Sequence, residues 1–220
     1  MLSGYIFNKG LKTYNHIFKK QRKDPKSLFS KGSIDLYDAM KNSYAKEEDQ
    51  QKFGSDAGYV YDAELSNDNQ QVYYNPDSKK MLFSVTGTHN VSDIGTDIKM
   101  MTSGVKSTDR YRQAEMTLGK AKAKYNPSHT TAYGTSLGGS ISSKLEDKVD
   151  RVVTLNKAHI PFDKTGSKET AIRSRGDIVS VFAANGKHVH TIANGDLADP
   201  MTWLRSHGSD SIKGKGYFIG

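Results

Sequence analysis

Apolar and polar positions follow two different periods along this chain, and the periods change in a regular order. In "SIDLYDAMKNSYAKEEDQQKF", residues 33–53, Leu36, Tyr37, Met40 and Tyr44 recur on one face of a helical repeat, and Ser33 stands where an N-cap belongs. "GYVYDAEL" and "QQVYYN" then read as strands, followed by the turn "NPDSKK" and a further strand, "MLFSVTG". The unbroken apolar run "MLFSV" fits a strand covered on both faces. "TDRYRQAEMTLGKAKAKY" has helix-forming composition and opens in a Ser/Thr cluster that can cap it. "HTTAYG" reads as a short strand, "GGSISSKLEDK" as a helix, and "RVVTLN", "ETAIRS" and "HVHTIA" as strands. Strands alternating with helices predict an α/β protein with a mostly parallel central sheet flanked by helices. The pattern shows no internal repeat, and 220 residues suffice for one domain with a buried core.

Charge divides the chain. Of the net +8, residues 1–31 carry about +7, because eight Lys and Arg face only Asp24. Leu2, Tyr5, Ile6, Tyr14, Ile17 and Phe18 recur among those lysines at loosely helical spacing, which predicts a basic, amphipathic arm. Residues 32–220, nearly neutral, form the expected domain. Such an arm favours an anionic partner, whether a membrane surface or another polyanion, and equally fits a solvated tail. No apolar run approaches the ~18–20 residues that cross a bilayer, and "MLSGYIFNKG" lacks the features of a signal peptide. The expectation is a soluble or peripheral protein. With no cysteine, disulfides, thiolate metal sites and a Cys nucleophile are excluded.

The candidate chemistry lies in "HTTAYGTSLGGSIS", residues 129–142, where Ser136 stands between Gly134 and Gly138. G-x-S-x-G is a frequent chance match in a chain with 20 glycines, so its context decides. Here the pattern falls between a strand and a helix. A nucleophilic serine on such a corner needs small residues two positions away on both sides, because a side chain there would strike the neighbouring backbone. The helix N-terminus and the Leu137 N–H would also face developing negative charge. A phosphate-binding loop would need Lys after the last glycine, and Ser140 stands there. A serine nucleophile needs a base and an orienting acid, in the chain order Ser, Asp or Glu, His for α/β-hydrolases. Asp177 follows the strand "ETAIRS", and His207 follows in "LRSHGSDSI". His190, in "KHVHTIA", is the alternative base.

Three blocks then resemble the class 3 lipases of the α/β-hydrolase superfamily. "LFSVTGTHNVSDIGTDI" is similar to the family's strand and following loop, and "AYGTSLGGSIS" to its nucleophile block. "RVVTLNKAHIPF" with "AIRSRGDIV" is similar to the two strands that lead to the acid. The resemblance spans roughly residues 33–212. It implies an α/β-hydrolase fold with Ser136 as nucleophile, Asp177 as acid and His207 as base. The Thr88 and Leu137 backbone donors would form the oxyanion hole, and Gly134 and Gly138 the nucleophile elbow. It also implies a structural role for Asp97 and a lid over His89 to about Gly104. Ile94, Ile98, Met100, Met101 and Val105 would cover the site or face lipid, with a place in the core the competing reading, above all for Ile94 and Ile98. The chain departs from the family at Thr86 (usually Arg), Ile94 (usually Trp) and Thr135 (usually His). No triad member is lost, although lid anchoring is affected.

Together these features predict a carboxylic ester hydrolase acting on a lipid ester, acylglycerol or phospholipid, without metal or organic cofactor. Two other readings share the fold: a non-catalytic lipase-like protein docked by its basic arm, and a serine peptidase or thioesterase with a different pocket.

Overall fold

A computed structural model describes residues 34–88, 104–158, 165–175, 177, 188–192 and 207–220. The basic arm therefore lies outside the described residues, as do Ser33, Asp97 and four of the five residues named for the lid. Val105 is described. It is buried in the core beside Tyr111, so it belongs to the core and not to a cover over the site.

The expected long first helix is two. β1 (Ile34–Asp35) leads directly into α1 (Leu36–Asn42), capped by the Asp35 carboxylate, which accepts from the Tyr37 N–H at 2.8 Å. The chain bends after Asn42 and resumes as α2 (Glu47–Asp56). The buried Gln50 amide donates to the Ala45 carbonyl at 3.0 Å, and the Ser43 hydroxyl donates to the Met40 carbonyl at 2.7 Å. Side chains thus answer carbonyls that a continuous helix would have used, and the bend fixes the direction of Tyr44.

β2 (Val60–Tyr61) is shorter than the run "GYVYDAEL" predicts. The Asp62 carboxylate accepts from the N–H groups of Glu64 and Leu65, turning the chain immediately after Tyr61. β3 (Gln70–Asn75) and β4 (Lys80–Val85) form a hairpin. α3 (Asp109–Tyr125) starts at Thr108, whose side chain accepts from the Tyr111 N–H, and stops at Asn126 in the left-handed region, φ 42°. Then follow β5 (His129–Thr135), α4 (Ser136–Lys144), β6 (Arg151–Leu155), β7 (Glu169–Ser174), β8 (Val189–Ile192) and β9 (Phe218–Ile219).

Among the described residues, β2 to β8 make one sheet in sequence order. Its first two pairings are antiparallel, and the four from β4 to β8 are parallel. β1 and β9 pair separately. Alternation along each strand sorts side chains into two cores. Val72, Met81, Phe83, Ala132 and Val152 face α3 and α4, while Tyr73, Leu82, Tyr133 and Val153 face α1 and the chain's end near Tyr217. β4, β5 and β6 are covered on both sides, as the run "MLFSV" implies. A mostly parallel sheet flanked by helices, with a sharp strand-to-helix corner after a central strand, is the α/β-hydrolase arrangement. It brings the carboxyl ends of β4, β5, β6 and β7 to one edge, where ligands of open α/β sheets bind.

Candidate active site

The corner between β5 and α4 is built by close approach. Ser136 sits at φ 51°, the left-handed region that L residues avoid, and the residue is 5% exposed. A Cβ on Gly134 would stand 2.6 Å from the carbonyl of Gly138 and from the Val85 oxygen. One on Gly138 would stand 2.1 Å from the Val85 oxygen and 2.6 Å from the Thr86 carbonyl group. All of these are backbone atoms with nowhere to move. The helix that leaves the corner is short and wholly buried to Ser143, and its first-turn donors, the Leu137 N–H among them, have no acceptor within the helix.

Next to Ser136 runs Thr86–Thr88, held from three sides. The Thr86 hydroxyl donates to the Asp68 carbonyl at 2.6 Å, Arg110 donates to the Thr86 carbonyl at 2.7 Å, and the Gly87 N–H donates to the Tyr44 hydroxyl at 2.8 Å. Gly87 has no room for a side chain either. Its Cβ would stand 2.6 Å from the Tyr44 hydroxyl oxygen, 2.8 Å from the Thr135 carbonyl oxygen and 3.3 Å from the Ser136 Cβ. Tyr44, Gly87 and Arg110 thus shape the strap that leads to Thr88; Tyr44 stands in the helical period and Gly87 in the first lipase-like block, but nothing in the sequence marks the three as partners. Burial pushes the Tyr44 hydroxyl above its usual range, against the opposing pull of the Gly87 N–H and of the Arg110 charge.

On the other side, His207 Nδ1 is 2.8 Å from Asp177 Oδ1, with the carboxylate side chain 1% and the imidazole 13% exposed. Asp177 follows β7 and is tied to its end by its own N–H, which donates to the Ser174 carbonyl at 3.1 Å. His190 lies elsewhere. It sits in β8 in register with Ile172 and packs edge-on against Tyr217, and burial, then the neighbouring His188, holds its imidazole below the ordinary range. Ser136 Oγ and His207 Nε2 are both buried, and neither has a hydrogen-bond partner among the described residues. The structure thus joins Asp177 to His207 and leaves Ser136 and His207 unjoined. Among the described residues there is no cluster of three or more His, Asp or Glu that could hold a metal.

No protein-family model and no curated protein matches the chain. Among solved structures the chain is similar to fungal lipases. With the Lip2 lipase from Yarrowia lipolytica it shares 18% identity at a TM-score of 0.40, over 62% of this chain and 66% of that one. The match thus spans just under two thirds of that lipase's length. With a triacylglycerol lipase from Penicillium expansum it shares 17% identity at a TM-score of 0.37, over 67% of this chain and 76% of that one. The α/β-hydrolase arrangement itself follows from the strand order and the corner described above.

Proposed function

We propose that this protein is a serine ester hydrolase acting on lipid esters, with Ser136 as nucleophile, His207 as general base and Asp177 as the acid that orients it. One observation carries the reading. An Asp177–His207 hydrogen bond, a strained Ser136 corner and two buried atoms without partners, Ser136 Oγ and His207 Nε2, occur in one chain in the order such a triad requires. Asp177 fixes the imidazole with Nδ1 protonated, which leaves Nε2 basic. Nε2 takes the Ser136 proton as Oγ attacks the ester carbonyl, and the Leu137 and Thr88 backbone donors hold the oxyanion. His207 then protonates the leaving alcohol, and water releases the acyl group by the same steps in reverse.

The lipid class of the substrate follows from the sequence resemblance alone. Residues 1–31 extend the proposal to an anionic membrane surface, at up to about 1 kcal/mol per lysine near it. No helix among the described residues is long and apolar enough to cross a membrane.

The test compares wild type with Ser136→Ala on a short-chain p-nitrophenyl ester, then on phospholipid and triglyceride vesicles. Turnover lost only in the variant supports the reading, and equal background rates on all three substrates overturn it. Deleting residues 1–31 should abolish vesicle binding while soluble-ester turnover persists.

A further inference from the structure

The triad reading leaves one buried polar side chain beside it without a role. We infer that Asn156 is a positioning residue whose amide sets His207 against Asp177 and Ser136, an inference that rests on that reading.

Asn156 follows β6, whose Leu155 pairs with Thr135, so it stands beside Ser136 at the carboxyl edge of the sheet. It is fully buried, and its backbone is left-handed at φ 46°. Its own N–H donates to the Ile172 carbonyl at 2.8 Å. Backbone geometry alone would favour glycine there, and asparagine is among the few side chains that tolerate it. What asparagine adds is the amide. Its oxygen accepts from the Ser174 N–H at 2.7 Å, and its nitrogen donates to the His207 carbonyl at 2.9 Å. The Ser174 N–H faces the amide oxygen and the His207 carbonyl faces the amide nitrogen, and only one orientation of the amide satisfies both.

Ser174 is the last residue of β7, and its carbonyl takes the Asp177 N–H. A single planar group therefore ties the end of the acid's strand to the backbone of the base. Two residues on, the Ala158 N–H donates to the Ser136 carbonyl at 3.2 Å, and the Ser140 hydroxyl donates to the Ala158 carbonyl at 2.9 Å. The segment from Asn156 to Ala158 thus touches the backbone of the nucleophile, the strand of the acid and the base itself. His207 lies 51 residues beyond Asn156. Its placement depends on such contacts, and a displacement of about 1 Å in a reacting group can cost on the order of 100-fold in rate.

Two variants test this. Asn156→Gly keeps the left-handed backbone and removes the amide. Asn156→Asp keeps the acceptor for the Ser174 N–H and sets an oxygen against the His207 carbonyl. Each is compared with wild type for kcat and KM on p-nitrophenyl butyrate, per active site titrated with a fluorophosphonate. The downfield proton resonance of the His207 Nδ1–H, identified by its absence in His207→Ala, gives a readout independent of turnover.

In both variants kcat should fall about 10- to 100-fold with KM within about twofold, and the downfield resonance should broaden or vanish. A purely structural role would lower the melting temperature and leave both readouts intact. A kcat per site within twofold of wild type overturns the inference, and so does a fall in kcat with the resonance unchanged. Should Asn156→Gly not fold, Asn156→Asp decides by the same criteria. If wild type neither hydrolyses the ester nor reacts with the fluorophosphonate, the hydrolase reading fails. The resonance alone then judges Asn156: its loss in the variants supports the positioning role, and its persistence overturns it.

Discussion

From Gly134 to Gly138, five consecutive residues supply a bend, a left-handed Ser136 and a packed helix start, and each glycine is required by a backbone atom of β4 or of the corner itself. Asp177 and His207 are 30 residues apart and meet only because β7 and the chain beyond β8 are brought to the same edge of the sheet. The first half of the candidate site is therefore contiguous in sequence and set sterically against the Val85–Thr86 backbone, and the second is assembled from distant residues and held by polar groups. Steric construction makes the corner intolerant of substitution whatever the chemistry. Long-range construction predicts a pair that matters less to the fold than to the proposed reaction.

The sharpest test of that contrast is Asp177→Asn. The side chain keeps its shape, but the imidazole loses the carboxylate that selects its tautomer. The expected loss in kcat is on the order of 10³–10⁴-fold, with little change in the unfolding midpoint. A variant that unfolds would break the comparison, because the pair would then hold the fold as well. Gly138→Ala should do the reverse. Its Cβ would stand 2.1 Å from the Val85 carbonyl oxygen, so β4 or α4 must shift, at about 3 kcal/mol or more of stability measured by urea unfolding. Wild-type stability in Gly138→Ala would show that the corner is not built by close approach.

What could be read from the sequence follows the same division. The runs "QQVYYN", "MLFSVTG" and "HTTAYG" were legible as strands, and the sheet they form sorts Tyr73, Leu82 and Tyr133 to one side and Val72, Phe83 and Ala132 to the other, because every strand residue must point one way or the other. Glycine spacing marked the corner because the pattern is contiguous in sequence, although the backbone that demands those glycines belongs largely to Val85 and Thr86. The order of Ser136, Asp177 and His207 named the two side chains that meet, but not what brings them together. The break after Asn42 was not legible, since it depends on Gln50 reaching back to Ala45. Nor was the early end of β2, which the Asp62 carboxylate imposes. Gly87, Arg110 and Asn156 act through partners between 18 and 51 residues away, at separations that leave no period. Val105 groups by sequence with the expected lid, and only its packing with Tyr111 and Ala114 of α3 in one core cluster shows otherwise.

Tyr44→Phe gives the smallest expected effect and bears on a distant side chain that supports the nucleophile half. Tyr44 is 38% exposed, yet its hydroxyl is the acceptor for the Gly87 N–H, 43 residues away. Phenylalanine leaves that N–H unanswered beside Ser136, so stability should fall by about 1 kcal/mol and ester turnover by roughly 3- to 10-fold, equivalent to about 1 kcal/mol. The sign of the pH dependence supplies a second check. The hydroxyl is held above its unfolded value of 10.0, so its contribution is complete below pH 10 and is lost as pH rises from there through the folded value. The unfolding free energies of wild type and Tyr44→Phe should therefore differ most near pH 8 and converge above pH 10. Tyr73 and Tyr133, also raised by burial, make both proteins less stable in alkali and cancel in the difference. Turnover unchanged in Tyr44→Phe would leave the nucleophile corner dependent on its backbone contacts alone. A lowered rate at unchanged KM would show that this half of the site also depends on a distant side chain.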